Sequence, residues 1–385
     1  MSGAGSSTIA GLVDDVVDAA GLPGLAGAVV QAGARVFSFA RGCADLASAR
    51  PMTVDTTLNV ASVTKTVTAT AIVQLWEAGR IDLDADISPY VGMQIRNPAY
   101  PQSPLTVRHL LTPRSSIADG PAYAMSYSCG EPGSVAEWLA AYLTPAGSLF
   151  DVNHNFAPWP PGDRRAYSNV GYGLLGLAVE TVSGRPFGRY CREQILAPLG
   201  MSARTFDAPS TSAAHATAYS MTDRSAVAAV RLRDPDAQPL PASRGRVYVA
   251  HCLYSFPTVA DGLLRTTAND LAQFVGAFTG GGAVGAERIL RPRTVRRMFS
   301  TDGLGRSGAS GRTGLSEHVQ GIAWQRFDLP GPPVWGHGGS DPGVSALVLV
   351  RPATRTGVVL MSNVGGAEAA LRSLGQRLLD HGHRP

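Results

Sequence analysis

The reading begins at Asn59-Val60-Ala61-Ser62-Val63-Thr64-Lys65-Thr66-Val67-Thr68-Ala69-Thr70-Ala71-Ile72-Val73-Gln74-Leu75-Trp76. Small and β-branched residues leave this run apolar on most faces, so it reads as a buried helix from Val63 to Ala78, stopped by Gly79. One count sets it apart. The chain has 33 Lys plus Arg, and Lys65 is the only lysine among them. Arginine stays protonated inside proteins, whereas a buried lysine can release its proton and act as a base. Residues three apart share one helix face, so Ser62 Oγ and Lys65 Nζ can meet as a nucleophile and its activator.

Length and composition frame this pair. A chain of 385 residues with 44% hydrophobic residues and a mean hydropathy of +0.03 can bury a large core in one domain or two lobes. The formal net charge is +4, and the arginines are scattered, the densest groups being pairs such as Arg164-Arg165 and Arg296-Arg297. A nucleic-acid surface needs a basic stripe, and none is present, so no nucleic-acid partner is expected. Cys43, Cys129, Cys191 and Cys252 stand too far apart in sequence for a metal motif, and a core of this size needs no disulfide framework. The expectation is four buried free thiols and no metal or cofactor. Met1 to Thr8 lacks a basic, apolar leader, and no run of about 20 apolar residues spans a membrane, so the chain reads as cytoplasmic with no membrane partner.

Elements follow in order. Ile9 to Ala20 has helical apolar spacing after Ser6-Ser7-Thr8, and Leu25 to Gln31 with Val36 to Ala40 reads as a hairpin. Leu83 to Val91 is turn-like and Thr106 to Leu111 a short helix. Ser115 to Pro161 reads as one irregular, aromatic-rich loop suited to wall a pocket. Helices are expected at Gly171–Ser183, Phe187–Leu196 and Thr267–Phe278, and loops with short strands over Ser210–Val249. Ser300–Ser316 reads as mobile. Gly321–Phe327, Val334–His337, Val344–Arg351 and Gly357–Asn363 read as successive strands of an antiparallel sheet, followed by a helix from about Ala367 to Asp380. Strands at both chain ends with helices between them imply an α/β (α+β) fold: an antiparallel sheet flanked by helices, with an inserted mostly helical lobe. The division expected is 1–85 with 255–385 as the sheet lobe, and 86–254 as the helical lobe with its pocket loops.

Two further pieces carry matching chemistry. Tyr167-Ser168-Asn169 stands just before a helix. A cationic lysine favours the phenolate of a neighbouring tyrosine, which can then serve as general base and later as general acid. The Asn169 amide can hold a substrate carbonyl or amide. Trp335-Gly336-His337-Gly338-Gly339-Ser340 lies on a predicted strand whose glycines let a substrate approach the backbone. The N–H groups of Ser340 and Ser62 form the expected oxyanion hole.

Together these pieces resemble the serine β-lactamase and penicillin-binding-protein superfamily, marked by related S-x-x-K, S-D-N and K-T-G motifs. The Tyr-Ser-Asn form is similar to the class C-like branch, which also holds esterases, D-amino-acid peptidases and transacylases. Thr106–Thr112, Tyr167–Gly176 and Gly262–Ala272 extend the resemblance over nearly the whole chain. It implies a β-lactamase/transpeptidase-like fold with Ser62 as nucleophile, Lys65 as base or proton relay and Tyr167 as general acid/base. Asn169, His337 and Gly339 then bind substrate. His337-Gly338-Gly339 replaces Lys-Thr-Gly, which removes the lysine that would attract a β-lactam carboxylate. Leu110-Leu-Thr-Pro-Arg-Ser-Ser116 departs from the family pattern near the pocket. The activity implied is acyl transfer through acyl-Ser62 from a small-molecule donor. The acceptor is water in an esterase or amidase, or a small amine or alcohol in a biosynthetic transacylase. The rival reading is a catalytically silent penicillin-binding-like binder or sensor.

Overall fold

The structure is a computed structural model, and it describes residues 8–202, 204–206, 215–301 and 319–381. Seven strands form the main antiparallel sheet: β1 (Gly24–Gln31), β2 (Ala34–Asp45), β3 (Arg50–Pro51), β4 (Gln325–Phe327), β5 (Val334–Asp341), β6 (Val344–Arg351) and β7 (Thr356–Ser362). Their spatial order is β4-β5-β6-β7-β1-β2-β3, so the two ends of the chain meet where β1 pairs with β7. β6 and β7 are buried at every position, which fits a sheet covered on both faces.

Five longer helices organise the rest: α1 (Ile9–Ala20), α2 (Thr64–Glu77), α3 (Asn169–Ser183), α4 (Ala268–Thr279) and α5 (Glu368–His381). α4 packs on β1 and β7, while α5 packs on β6 and β7 with α1 against it. Two apolar clusters follow from this layering. One holds α2, α3, α4 and one face of the sheet; the other holds α1, α5 and the opposite face. α2 is buried all round, and its threonines satisfy themselves on backbone carbonyls, Thr66 on Val63 at 2.7 Å and Thr70 on Thr66 at 2.7 Å.

The α/β antiparallel architecture expected from the sequence is the one observed, and several details differ. The segment read as one loop over Ser115–Pro161 contains helices at Pro121–Met125, Val135–Leu143 and Val152–Asn155. They are short and separated by Gly and Pro, so no long 3.6-residue period marks them. Their starts are set locally, by Pro121 in the first turn and by the Ser134 and Asp151 side-chain caps. Ser88–Val91 is a helical turn inside the stretch read as turn-like. β5 runs on to Asp341, beyond the expected end at His337, because pairing with β6 continues through Ser340 opposite Ser345 despite two glycines. Most of Ser300–Ser316 and the start of Ser210–Val249 lie outside the described residues; the remainder of the latter includes a three-stranded sheet of Tyr219–Thr222, Val247–Ala250 and Leu240–Pro241.

The expectation of four free thiols is overturned. Cys129 and Cys252 form a disulfide, with Cα atoms 5.7 Å apart, while Cys43 and Cys191 are free. Two segments 123 residues apart in sequence are brought side by side here, with Ser128 and Ser255 paired through both backbone N–H groups at 3.0 and 2.8 Å. Sequence spacing does not reveal that neighbourhood. Among the described residues, no helix is long and apolar enough to cross a membrane.

Candidate active site

Ser62 lies in a 3₁₀ turn, Ala61–Val63, that feeds directly into α2. The turn is tight. Ala61 adopts a φ of 46°, a left-handed conformation costly for a residue with a Cβ, and its N–H is held by Asn59 Oδ1 at 2.9 Å. β5 presses against this elbow. A Cβ on Gly339 would come 2.3 Å from the Val60 carbonyl oxygen, so only glycine lets the strand approach this closely. β4 pairs with β5 only from Val334 to Gly336, so among the described residues the edge of β5 beyond Gly336 has no strand neighbour there, and it faces the elbow.

Lys65 gathers the other groups. Its side chain is fully buried, and Nζ donates to Ser62 Oγ at 3.0 Å, Asn169 Oδ1 at 2.6 Å and the Asp261 carbonyl at 2.6 Å. These three acceptors use the three protons of an ammonium group. The Asp261 carboxylate lies 3.9 Å away. Burial alone would push the Lys65 pKa down, but the attraction of Tyr167 once it is ionised and of the Asp261 and Asp119 carboxylates outweighs it, and the net direction is up. The resting lysine is therefore charged, contrary to the neutral amine that burial alone suggests.

Tyr167 sits across from it. Lys65 Nζ is 4.9 Å from the ring centroid, and the phenol oxygen end lies against both Lys65 and Ser62. The residue as a whole keeps 38% of its surface open, while its hydroxyl is turned into packed surroundings. Desolvation raises the Tyr167 pKa, and the adjacent Lys65 pulls it part of the way back. Asn169 begins α3 just beyond. With Oδ1 committed to Lys65, its amide N–H₂ remains to donate elsewhere.

His337 is buried on β5, its ring centroid 6.4 Å from that of Tyr167. Its Nδ1 is 2.7 Å from the Gly338 carbonyl, which makes Nδ1 the protonated nitrogen and leaves Nε2 as an acceptor. Burial, helped by the Lys65 charge, pushes its pKa down to about 3, so the imidazole is neutral. All the expected residues, Ser62, Lys65, Tyr167, Asn169, His337, Gly339 and Ser340, thus belong to the elbow, the start of α3 or the facing edge of β5.

Two acids were missed in the sequence. Asp119 receives the Asn169 N–H at 2.8 Å and the Val170 N–H at 3.0 Å, fastening the start of α3. Asp261 stands beside Lys65. Asp119 sits in irregular chain and Asp261 ends a single 3₁₀ turn, Val259–Asp261; neither carries a motif, and Asp261-Gly262 reads in sequence as an ordinary turn pair. The expected aromatic wall is present in part: Tyr123 and Tyr127 reach this region, and Tyr127 packs on Phe256 at 4.4 Å between centroids. Trp138 instead stacks on Tyr142 within the core. No group of three or more potential metal ligands occurs among the described residues.

The Beta-lactamase family model matches residues 9–382. The chain belongs to the Beta-lactamase family. It is 30% identical over 208 residues to esterase EstB of Burkholderia gladioli, a match covering 51% of each chain. The chain thus spans about half the length of that relative. Among solved structures, it superposes on the D-amino acid amidase of Ochrobactrum anthropi SV3 with a TM-score of 0.71 at 22% identity, covering 98% of both chains. It superposes on EstCE1, described as a hydrolase with promiscuous acyltransferase activity, with a TM-score of 0.70 at 19% identity, covering 97% of this chain and 96% of that one. At these identities the two structures establish the fold alone.

Proposed function

We propose that this Beta-lactamase family member is an acyl-transfer enzyme that cleaves an ester or amide of a small-molecule donor through an acyl-Ser62 intermediate. The observation that carries the reading is the convergence of one buried ammonium on Ser62 Oγ, Asn169 Oδ1 and the Tyr167 ring. In the productive form the Lys65–Tyr167 pair has given up one proton, leaving ammonium beside phenolate. Tyr167 takes the Ser62 hydroxyl proton as Oγ attacks the carbonyl carbon. The N–H groups of Ser62 and Ser340 receive the oxyanion, and the Asn169 amide holds the donor. Collapse of the tetrahedral intermediate breaks the bond to the leaving group, which takes the proton back from Tyr167. A second acceptor then gives its proton to Tyr167 and takes the acyl group from Ser62, and Tyr167 passes that proton to the departing Ser62 Oγ, which restores the hydroxyl and the phenolate. Because the productive pair is one proton short, acylation speeds up as pH rises.

The acceptor is either water or a small amine or alcohol, and the esterase, amidase and acyltransferase labels of the similar proteins support both. Neutral His337 offers no cation for a substrate carboxylate, which disfavours penicillin-type donors. The deciding experiment incubates the protein with an activated aryl ester and a graded concentration of a primary amine. Amide formed in proportion to amine, at unchanged aryl-alcohol release, selects the transacylase. Free acid alone selects the hydrolase. Absence of any aryl-alcohol release and of any adduct selects the silent binder and refutes the catalytic reading.

A further inference from the structure

Behind Lys65 lies a buried chain of polar groups that the reaction sequence above does not use. Asp261 Oδ1 receives the Tyr123 hydroxyl at 3.1 Å, and Asp261 Oδ2 receives Thr258 Oγ1 at 2.6 Å. The Tyr123 and Tyr127 hydroxyl oxygens are 3.2 Å apart, and Tyr127 contacts Asp341 Oδ1 at 2.9 Å. Asp341 follows Ser340 on β5, so the chain runs from the lysine of α2 to the strand facing Ser62. The loop that carries Asp261 is pinned closely onto α3: a Cβ on Gly173 would come 2.5 Å from Thr258 Cγ2, and one on Gly176 would come 2.4 Å from Ala260 Cβ.

Each phenol donates to one acid, Tyr123 to Asp261 Oδ1 and Tyr127 to Asp341 Oδ1, so the carboxylate beside Lys65 is held by Tyr123 and by Thr258 Oγ1. Burial pushes both acids up, Asp341 to about 7 and Asp261 to about 6, so Asp261 is the readier of the two to ionise. The groups facing Asp261 are Lys65 from α2, Tyr123 and Tyr127 from the pocket wall, Asp119, Tyr167 and Asp341.

We propose that Asp261 is a positioning residue whose carboxylate, held by Tyr123, sets how readily the Lys65–Tyr167 pair gives up the proton that acylation of Ser62 requires. Its negative charge opposes loss of a proton from either member of the pair, so it acts as a brake on the productive form. This rests on the proposed roles of Ser62, Lys65 and Tyr167.

The test is the pH profile of single-turnover acylation by an activated ester, read by aryl-alcohol release and by the mass of acyl-Ser62. Asp261→Asn removes the charge and keeps the shape. The rising limb is expected to move to lower pH by about one unit, as loss of a neighbouring like charge shifts a titration. Asp261→Glu is expected to return the limb towards its original position. Tyr123→Phe takes away the donor that holds the carboxylate ionised and is expected to move the limb the same way by less. It serves as the deciding variant should Asp261→Asn not fold. A limb that stays in place, with only the plateau lowered, or one that moves to higher pH, overturns the proposal. If the parent protein forms no acyl-Ser62, the failure lies in the proposed function; if it acylates and the limb does not move, the failure is of this inference alone.

Discussion

On the helical side of Ser62, Lys65 is buried among acceptors, with Asp261 and Asp119 close enough to keep it charged. On the strand side, β5 presents backbone, two glycines, a hydroxyl and a neutral imidazole. Formal charge is therefore concentrated on one wall, and the other contributes shape and N–H dipoles. This division suits the proposed acyl transfer, in which the proton would move on the charged wall while the oxyanion would develop against fixed backbone groups. It also means that the two walls should fail differently when altered.

The largest effects belong to the charged wall. Ser62→Ala should abolish acylation, and Lys65→Arg should lower kcat/KM by at least about 10³-fold, because a guanidinium keeps the charge but its planar fork does not fit the three acceptors that a compact ammonium reaches. Retained turnover in Lys65→Arg, measured by steady-state ester hydrolysis, would show that charge alone suffices and would erase the distinction between the walls. On the strand wall, Gly339→Ala must displace β5 from the Val60 carbonyl. A loss of about 10²-fold in kcat is expected from such a misplacement, together with a lowered melting temperature from the same backbone clash. An unaffected kcat would mean that β5 plays no part in the chemistry.

Smaller effects sharpen the picture behind the walls. The Cys129–Cys252 disulfide ties the segment of Tyr127 to that of Tyr254 and Phe256. Reduction by a dithiol, or paired Cys129→Ser and Cys252→Ser changes, should cost roughly 2–4 kcal/mol of stability in denaturant titrations. Activity should fall only several-fold, since the disulfide touches neither Ser62 nor Lys65. The smallest effect concerns Asp341. Its folded-state pKa is raised to about 7 from 3.8, so the protonated carboxyl stabilises the fold fully below pH 3.8, and that contribution is lost as pH rises through 7. Asp341→Asn should thus leave the melting temperature nearly unchanged at pH 4 and raise it at pH 8. Equal shifts at both pH values would show that Asp341 ionises freely.

The difference between the walls and their backing also explains what was legible in the chain. Ser62, Lys65, Tyr167 and Asn169 announce themselves because the proposed acyl transfer draws on those residue types at fixed local spacings, and the lone lysine stands out against 32 arginines. The strands β5, β6 and β7 are readable from β-branched runs broken by Pro and Gly turns. Asp119, Asp261 and the disulfide were not readable, since each acts on a partner at least 50 residues away that only the folded chain brings near. Tyr123 and Tyr127 fall in the aromatic-rich loop expected to wall a pocket, but the acids they meet, Asp261 and Asp341, are brought to them only by the folded chain.

The most direct test of the central claim is the intact mass of the protein quenched shortly after mixing with an activated acyl ester. The account predicts one acyl group per chain, located on the peptide containing Ser62 and missing in Ser62→Ala. An adduct that persists in Ser62→Ala, or ester turnover undiminished in that variant, would contradict it.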